Sequence, residues 1–386
     1  MSDPKRQHEW ESERRTLERY VADGDIRCVF SQAHLVEMAP IDRSRTELAT
    51  AKADLLVSLC AGYALPSLDR LVAGELAALR DGRPRDIDVI DVDGNWYPPI
   101  DDLISDVGTK VFSKDVVSDA IAEFAGNRAQ RRAAAKKLLK KGAPSPLFLR
   151  QLKTETPGVE CLEIQKTYPM RDEDAWVIAR YIRGQARRDE AQRAFEASLR
   201  NPRFMMRWFA SENVDVTNFT SWLRDSSLKM KSVVDEFAAL AKRIHGLPPD
   251  QQSLVAPQTV LAKREWDRRP DEMAGRLAQR LADELLPLSA LELPLERLHD
   301  TCAGFSTLLR TFFDAAWTAT GVQPRAPKAS DLGDCYHAMY APYVQIFRPD
   351  SFMAPHVARH VSRFGTQVVP KLKQLVPAIE QRLLAR

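Results

Sequence analysis

The sequence predicts an α/β protein whose two ends close into one doubly wound parallel sheet around a long, mainly helical insertion. At both ends, short apolar runs alternate with segments of helical periodicity. From about Leu71 to Gln323 the helical period persists instead, and Pro84, Pro144, Pro157, Pro202, Pro248 and others punctuate it at intervals typical of helix lengths. The expected division is therefore 1–70, 71–323 and 324–386, with the first and last parts forming one domain. An insertion of that length is tolerated when its ends lie close together on a surface.

Taken in order, HEWESERRTLERYVADGD repeats Trp10, Leu17 and Val21 at helical spacing, and Gly24 stops the helix. Cys28 to Met38 runs from a short apolar strand into Ser31, His34 and Glu37. Ser44 to Ala61 carries Leu48, Leu55, Leu56 and Leu59 at helical intervals, Gly62 closes it, and YALPS offers the next strand. In the middle, Asp86 to Asp93 alternates acidic and apolar residues, which reads as a lone strand with one solvated face. Near the end, Asp331 to His337 reads as a helix, and Val344, Ile346 and Phe347 as a buried strand followed by Asp350. Met353 to Phe364 then forms a helix stopped by Gly365, Thr366 to Val369 a brief strand, and Lys371 to Leu384 a last amphipathic helix.

Composition bounds the function classes. The chain has 386 residues, 44% hydrophobic and 28% charged, which is the balance of a folded globular protein rather than a disordered one. No apolar run approaches the roughly 18 residues of a membrane span, and the polar N-terminus lacks a secretory signal. The five cysteines, Cys28, Cys60, Cys161, Cys302 and Cys335, are scattered and form no Cys-x-x-Cys pair, which points to reduced thiols in the cytoplasm. A net charge of +3 is small, so any nucleic-acid argument rests on local clusters.

The chemistry concentrates in the acidic residues. Asp331 and Asp334 lie three apart on one helix face, and Asp350 follows the strand at the position where open sheets collect ligands. Carboxylates brought together there repel unless a cation lies between them, and Mg²⁺ or Mn²⁺ suits such an oxygen donor set. Asp331 also reads as a helix N-cap after Ser330, Asp350 as a turn residue, and Glu37 as a surface residue of its helix. Ser31 suits a helix cap; His34 and His337 suit hydrogen bonds to a carboxylate or phosphate, or a structural place. No Ser/His/Asp spacing, glycine-rich phosphate loop or HExxH motif is present, so hydrolysis by metal-activated water is the enzymatic reading.

Together, CVFSQAHLVEM and DLGDCYHAMYAPYVQIFRPD resemble the PIN-like nuclease family, over roughly the first 70 and last 60 residues. The Asp-x-x-His run from Asp334 to His337 is similar to bacterial members with long insertions. The resemblance implies that Glu37, Asp334 (or Asp331) and Asp350 are catalytic and hold the metal, with Ser31, His34 and His337 in support. The family opens on a central strand ending in a further catalytic Asp, and nothing before Arg6 reads as that strand. Either the true start lies upstream of Met1 or the chain is a degenerate member. Arg348-Pro349 also stands where the family usually carries Thr or Ser near the metal.

RNA is the expected partner. In NRAQRRAAAKKLLKKG, Arg128, Arg131, Arg132, Lys136, Lys137, Lys140 and Lys141 crowd one helix, which suits a polyanion or else a solvated face. Arg180, Arg183, Arg187 and Arg188 form a second basic region; Trp208, Phe209, Phe219 and Trp222 suit a helical core better than base stacking. The expected activity is metal-dependent RNA hydrolysis, the alternative a catalytically degenerate RNA-binding or complex-assembly protein. A homo-oligomer or an antitoxin-like protein partner is compatible with both.

Overall fold

The computed structural model describes residues 4–40, 42–84, 127–140, 143–145, 161–162, 164–165, 168, 170–210, 214–286, 293–321, 325–328 and 330–385. The Asp86 to Asp93 alternation, Lys141, and the side chains of Arg131, Lys140, Phe219 and Trp222 lie outside what is described.

Helices dominate. They are α1 (Pro4–Ala22), α2 (Gln32–Met38), α3 (Thr46–Cys60), α4 (Leu68–Arg80), α5 (Arg128–Leu138), α6 (Asp172–Ile182), α7 (Arg188–Leu199), α8 (Pro202–Ala210), α9 (Val214–His245), α10 (Pro249–Leu285), α11 (Leu298–Thr301), α12 (Ala303–Trp317), α13 (Ser330–Ala338), α14 (Met353–Val361) and α15 (Leu375–Leu384). Short 3₁₀ turns join several of them. Among the described residues, β structure amounts to β1 (Leu139–Lys140) antiparallel to β2 (Ala143–Pro144), β3 (Ile346–Phe347) parallel to β4 (Gln367–Val368), and one parallel bridge between Phe30 and Ala64.

Among the described residues the expected PIN-like doubly wound parallel sheet is therefore not formed, and these residues are predominantly helical at the two ends as well as between them. The expected strands fall in the right places but stop after one or two residues, for identifiable reasons. Alternate residues of the β3 segment face β4, namely Gln345 and Phe347, whose carbonyls accept from Gln367 and Val369. The next would be Pro349, which has no N–H to donate. Beside Phe30, α2 begins at Gln32, and its partner segment reaches Pro66 two residues past Ala64. Gly365, at φ +81°, ends the turn after α14 as its position suggests.

The chain divides into two compact units: Met1–Glu37 with Leu56–Pro98 and Asn218–Arg386, and Met38–Leu55 with Pro99–Thr217. In the first, α4, α10 and α12 pack around Leu71, Leu76, Leu79, Ala278, Leu298 and Phe305, and Val29 and Val344 lean on the same core. A neighbouring cluster of Cys335, Ala338, Met353, Val357 and Val361 seats α13 and α14 against Phe347 and Val368. Buried Glu75 fastens this unit internally: its carboxylate accepts from Gly304 N (2.6 Å), Phe305 N (3.0 Å) and the Tyr343 hydroxyl, at the start of α12.

In the second unit, Tyr168, Phe195 and Trp208 form an aromatic cluster with ring centroids 5.3 to 5.7 Å apart. Trp208 and Phe209 are buried there, as core residues. The second basic region is open only in part, at exposed Arg187 and Arg188. Arg183 is buried, Arg180 donates to the Gln185 carbonyl, and Arg187 pairs with Asp189 and Glu190.

Candidate functional site

The site joins two short helices of the first unit. Buried Ser31 precedes the first turn of α2, and its carbonyl accepts from His34 N at 3.1 Å. Its own N–H donates to His34 Nδ1 at 3.0 Å, and its hydroxyl lies 3.0 Å from the same nitrogen. Ser31 is thus tied up in fixing the His34 ring. Because Nδ1 accepts from a backbone N–H, neutral His34 carries its proton on Nε2. Burial, and then the His337 ring beside it, lower the His34 pKa to about 3, although the residue keeps an exposed surface.

Helix α13 lies opposite. His337 stacks edge-on against His34, with ring centroids 4.2 Å apart, and its Nε2 lies 3.2 Å from Glu37 Oε2. Residues some 300 positions apart are thereby brought into one cluster. Glu37 keeps 44% of its side-chain surface exposed, whereas His337 keeps 12%. Gly333 makes this approach feasible, since a Cβ there would sit 2.9 Å from Glu37 Oε1.

Asp334 lies one turn before His337 and is largely enclosed. Its carboxyl pKa is raised to about 7, first by removal from water, then by the charges of Glu37 and Asp350, with a smaller push from Asp331; His337 works in the opposite direction. The charges of Glu37 and Asp350 therefore both act on Asp334. Asp350 is also committed locally, accepting from Met353 N at 2.7 Å at the entry to α14.

Asp331 takes a different part. Both of its oxygens accept from Arg325, at 2.7 and 2.8 Å, and Oδ2 also accepts from Lys328 N at 2.9 Å. The Arg325 guanidinium lies 3.6 Å from the centre of the Phe352 ring, so stacking and a two-pronged ion pair both fix it. Arg325 thus brings one positive charge to a group of four carboxylates. Sequence reasoning missed Gly333 and Arg325. The glycine inside an otherwise helical run was a legible signal for the first; nothing local marks the second.

The donor set is of the kind a hard cation takes, since it consists of carboxylate oxygens, with Arg325 already matched to Asp331. The arrangement has not converged into a cage: among the described residues no group of three His, Cys, Asp or Glu side chains meets at one point. Glu37 and Asp350 remain the adjustable members, since among the described residues the first is held by His337 and the carboxylate of the second by Met353 N. Beside the cluster, His34 and His337 form part of the wall of a recess of about 830 Å³ that continues between residues 24–29 and 344–348.

On the second unit, α5 exposes Arg128, Arg132 and Lys136 in one row at four-residue spacing, with Lys137 beside it, and contains no acidic residue. The five cysteines are all free thiols. No helix among the described residues is long and apolar enough to cross a membrane. No family model, no curated protein and no solved structure matches this chain.

Proposed function

We propose that the protein is a divalent-cation-dependent ribonuclease whose phosphodiester hydrolysis is organised by Glu37, Asp334 and Asp350. The observation that carries this reading is the meeting of α2 with α13, where His337 reaches Glu37 at 3.2 Å beside Asp334. A stability-driven fold gains little from crowding like charges. A site that must attract a cation gains directly. Support also comes from the resemblance of the same two segments to PIN-like nucleases, and from the exposed basic row on α5.

Glu37, Asp334 and Asp350 would hold Mg²⁺ or Mn²⁺, which supplies Lewis-acid charge and an activated water when bound. The chain's own residues do the rest. His337 orients the Glu37 carboxylate. Without a cation, the raised pKa leaves Asp334 partly protonated near neutral pH, so loading the site would release protons. His34, with Nδ1 committed to Ser31, offers Nε2–H as a donor to a substrate phosphate. Arg325 keeps Asp331 out of the ligand set. Five scattered free thiols fit a cytoplasmic setting.

The reading is tested by incubating single-stranded RNA with the protein and Mn²⁺, with Asp334→Asn and excess chelator as controls. Cleavage that both controls abolish supports it. A second reading, a non-catalytic RNA-binding protein, is favoured by one observation, that no three donors meet at a point among the described residues. Salt-dependent RNA binding without cleavage at any Mn²⁺ concentration would select it.

A further inference from the structure

The recess beside the carboxylates is bounded on two sides by strand edges that each have a partner on their far side only. Phe30 uses both of its backbone groups on the Tyr63 to Leu65 side: its N–H donates to Tyr63 O at 3.4 Å, and its carbonyl accepts from Leu65 N at 2.7 Å. In a parallel ladder neighbouring residues face opposite ways, so Val29 turns its N–H and C=O to the other side. Across the recess the same alternation holds. Gln345 and Phe347 accept from Gln367 N and Val369 N, both at 2.9 Å, which turns Ile346 and Arg348 away from β4. Val29, Ile346 and Arg348 all line the recess, together with Leu17, Leu375 and Ile379. Among the described residues no hydrogen bond is made by the backbone groups of Val29 or Ile346 outside their own strands.

We propose that this recess is a strand acceptor, taking an extended peptide from a second polypeptide that runs parallel to both edges and pairs with them simultaneously. The backbone groups of Val29 on one side and of Ile346 and Arg348 on the other, facing one recess, are matched by another extended backbone. A lipid or an aliphatic small molecule would fill the volume and leave both rows unpaired. The charge of the lining narrows the occupant further. It contains Arg27, Arg348 and Arg382 against Asp25 alone, whereas the far end abuts Glu37 and Asp334, so the fitting peptide has apolar side chains in its middle and an acidic residue at its N-terminal end only. Both edges run toward the Glu37 and Asp334 end of the recess, which fixes the peptide's direction. This inference rests on backbone pairing and stands whether or not the carboxylate cluster is catalytic.

The probe is a synthetic peptide of five alternating valines and isoleucines preceded by a single aspartate and amidated at its C-terminus, added to the full chain and followed by residue-resolved hydrogen exchange. The Val29 and Ile346 amides should exchange freely without peptide and slow at least tenfold with it, while Phe30 and Phe347 change little. The same peptide N-methylated at alternate residues, which cannot pair on one edge, should bind at least tenfold more weakly; this control leaves the protein untouched. Equal protection by both peptides would reduce the effect to apolar filling and overturn the proposal. Slow exchange at Val29 and Ile346 before any peptide is added would overturn it as well, because the edges would then already be paired.

Discussion

Asp334→Asn should stabilise the protein at pH 8 and leave it nearly unchanged at pH 4. The raised carboxyl pKa, about 7 in the folded chain against roughly 3.9 in an unfolded one, means that the folded state binds the proton more tightly. Between these values the unfolded chain is ionised and the folded one is not, so stability falls as pH rises from about 4 to about 7, and the whole cost is present above 7. Three units correspond to about 4 kcal/mol at 1.36 kcal/mol each. The group is partly open to solvent, and screening of Glu37 and Asp350 leaves roughly 2 kcal/mol. The isosteric amide removes the charge and keeps the shape, so thermal unfolding at pH 8 should shift upward by roughly 2 to 4 °C. Millimolar Mn²⁺ should raise the parent's midpoint at pH 8 and leave that of the variant unmoved. An equal shift at both pH values, or destabilisation at pH 8, would refute the claim that crowded negative charge defines the cluster.

Glu75→Ala should cost about 3 to 5 kcal/mol in urea unfolding, because the Gly304 and Phe305 N–H groups and the Tyr343 hydroxyl would be deprived of a buried charged acceptor; a cost under about 1 kcal/mol would mean that water replaces it. Gly333→Ala should displace the Glu37 carboxylate from its position 2.9 Å from the new Cβ, lowering Mn²⁺ affinity by roughly tenfold, about 1.4 kcal/mol, with a smaller change in unfolding midpoint; unchanged affinity would show that Glu37 is not a ligand. Changing Arg128, Arg132 and Lys136 to Glu should reduce the slope of log RNA affinity against log salt by about one unit for each phosphate that is no longer neutralised. A slope that stays the same would make this row a plain solvated face.

What the sequence revealed and what it hid follow from the range of the interactions. Helical periodicity and Gly365 mark α14, β4 and α15 nearly where they form, because those signals are local. The contact of Glu37 with His337 could not be read from the sequence, since no spacing rule connects residues so far apart. The sheet failed for want of continuity rather than of strand-forming residues. Pro349 ends one ladder and the start of α2 at Gln32 ends the other, and short apolar runs read alike whether they pair over five residues or one. Arg325 was invisible because its partner Asp331 fits equally well as a helix cap, and only the structure shows both oxygens taken. Arg183 belonged by sequence to a basic patch, and burial removes it from that patch.

The account stands most directly on whether the carboxylates bind a divalent cation at all. Mn²⁺ titration followed by electron paramagnetic resonance at pH 8 measures this without reference to any substrate. The account predicts saturable binding at one site or at a closely coupled pair, abolished in Asp334→Asn, weakened at least tenfold in Glu37→Gln, and kept in the Lys263→Gln control, whose lysine pairs with Asp267 on α10. Parent and Asp334→Asn proteins that bind Mn²⁺ equally, or a parent that binds none at millimolar concentration, would contradict it.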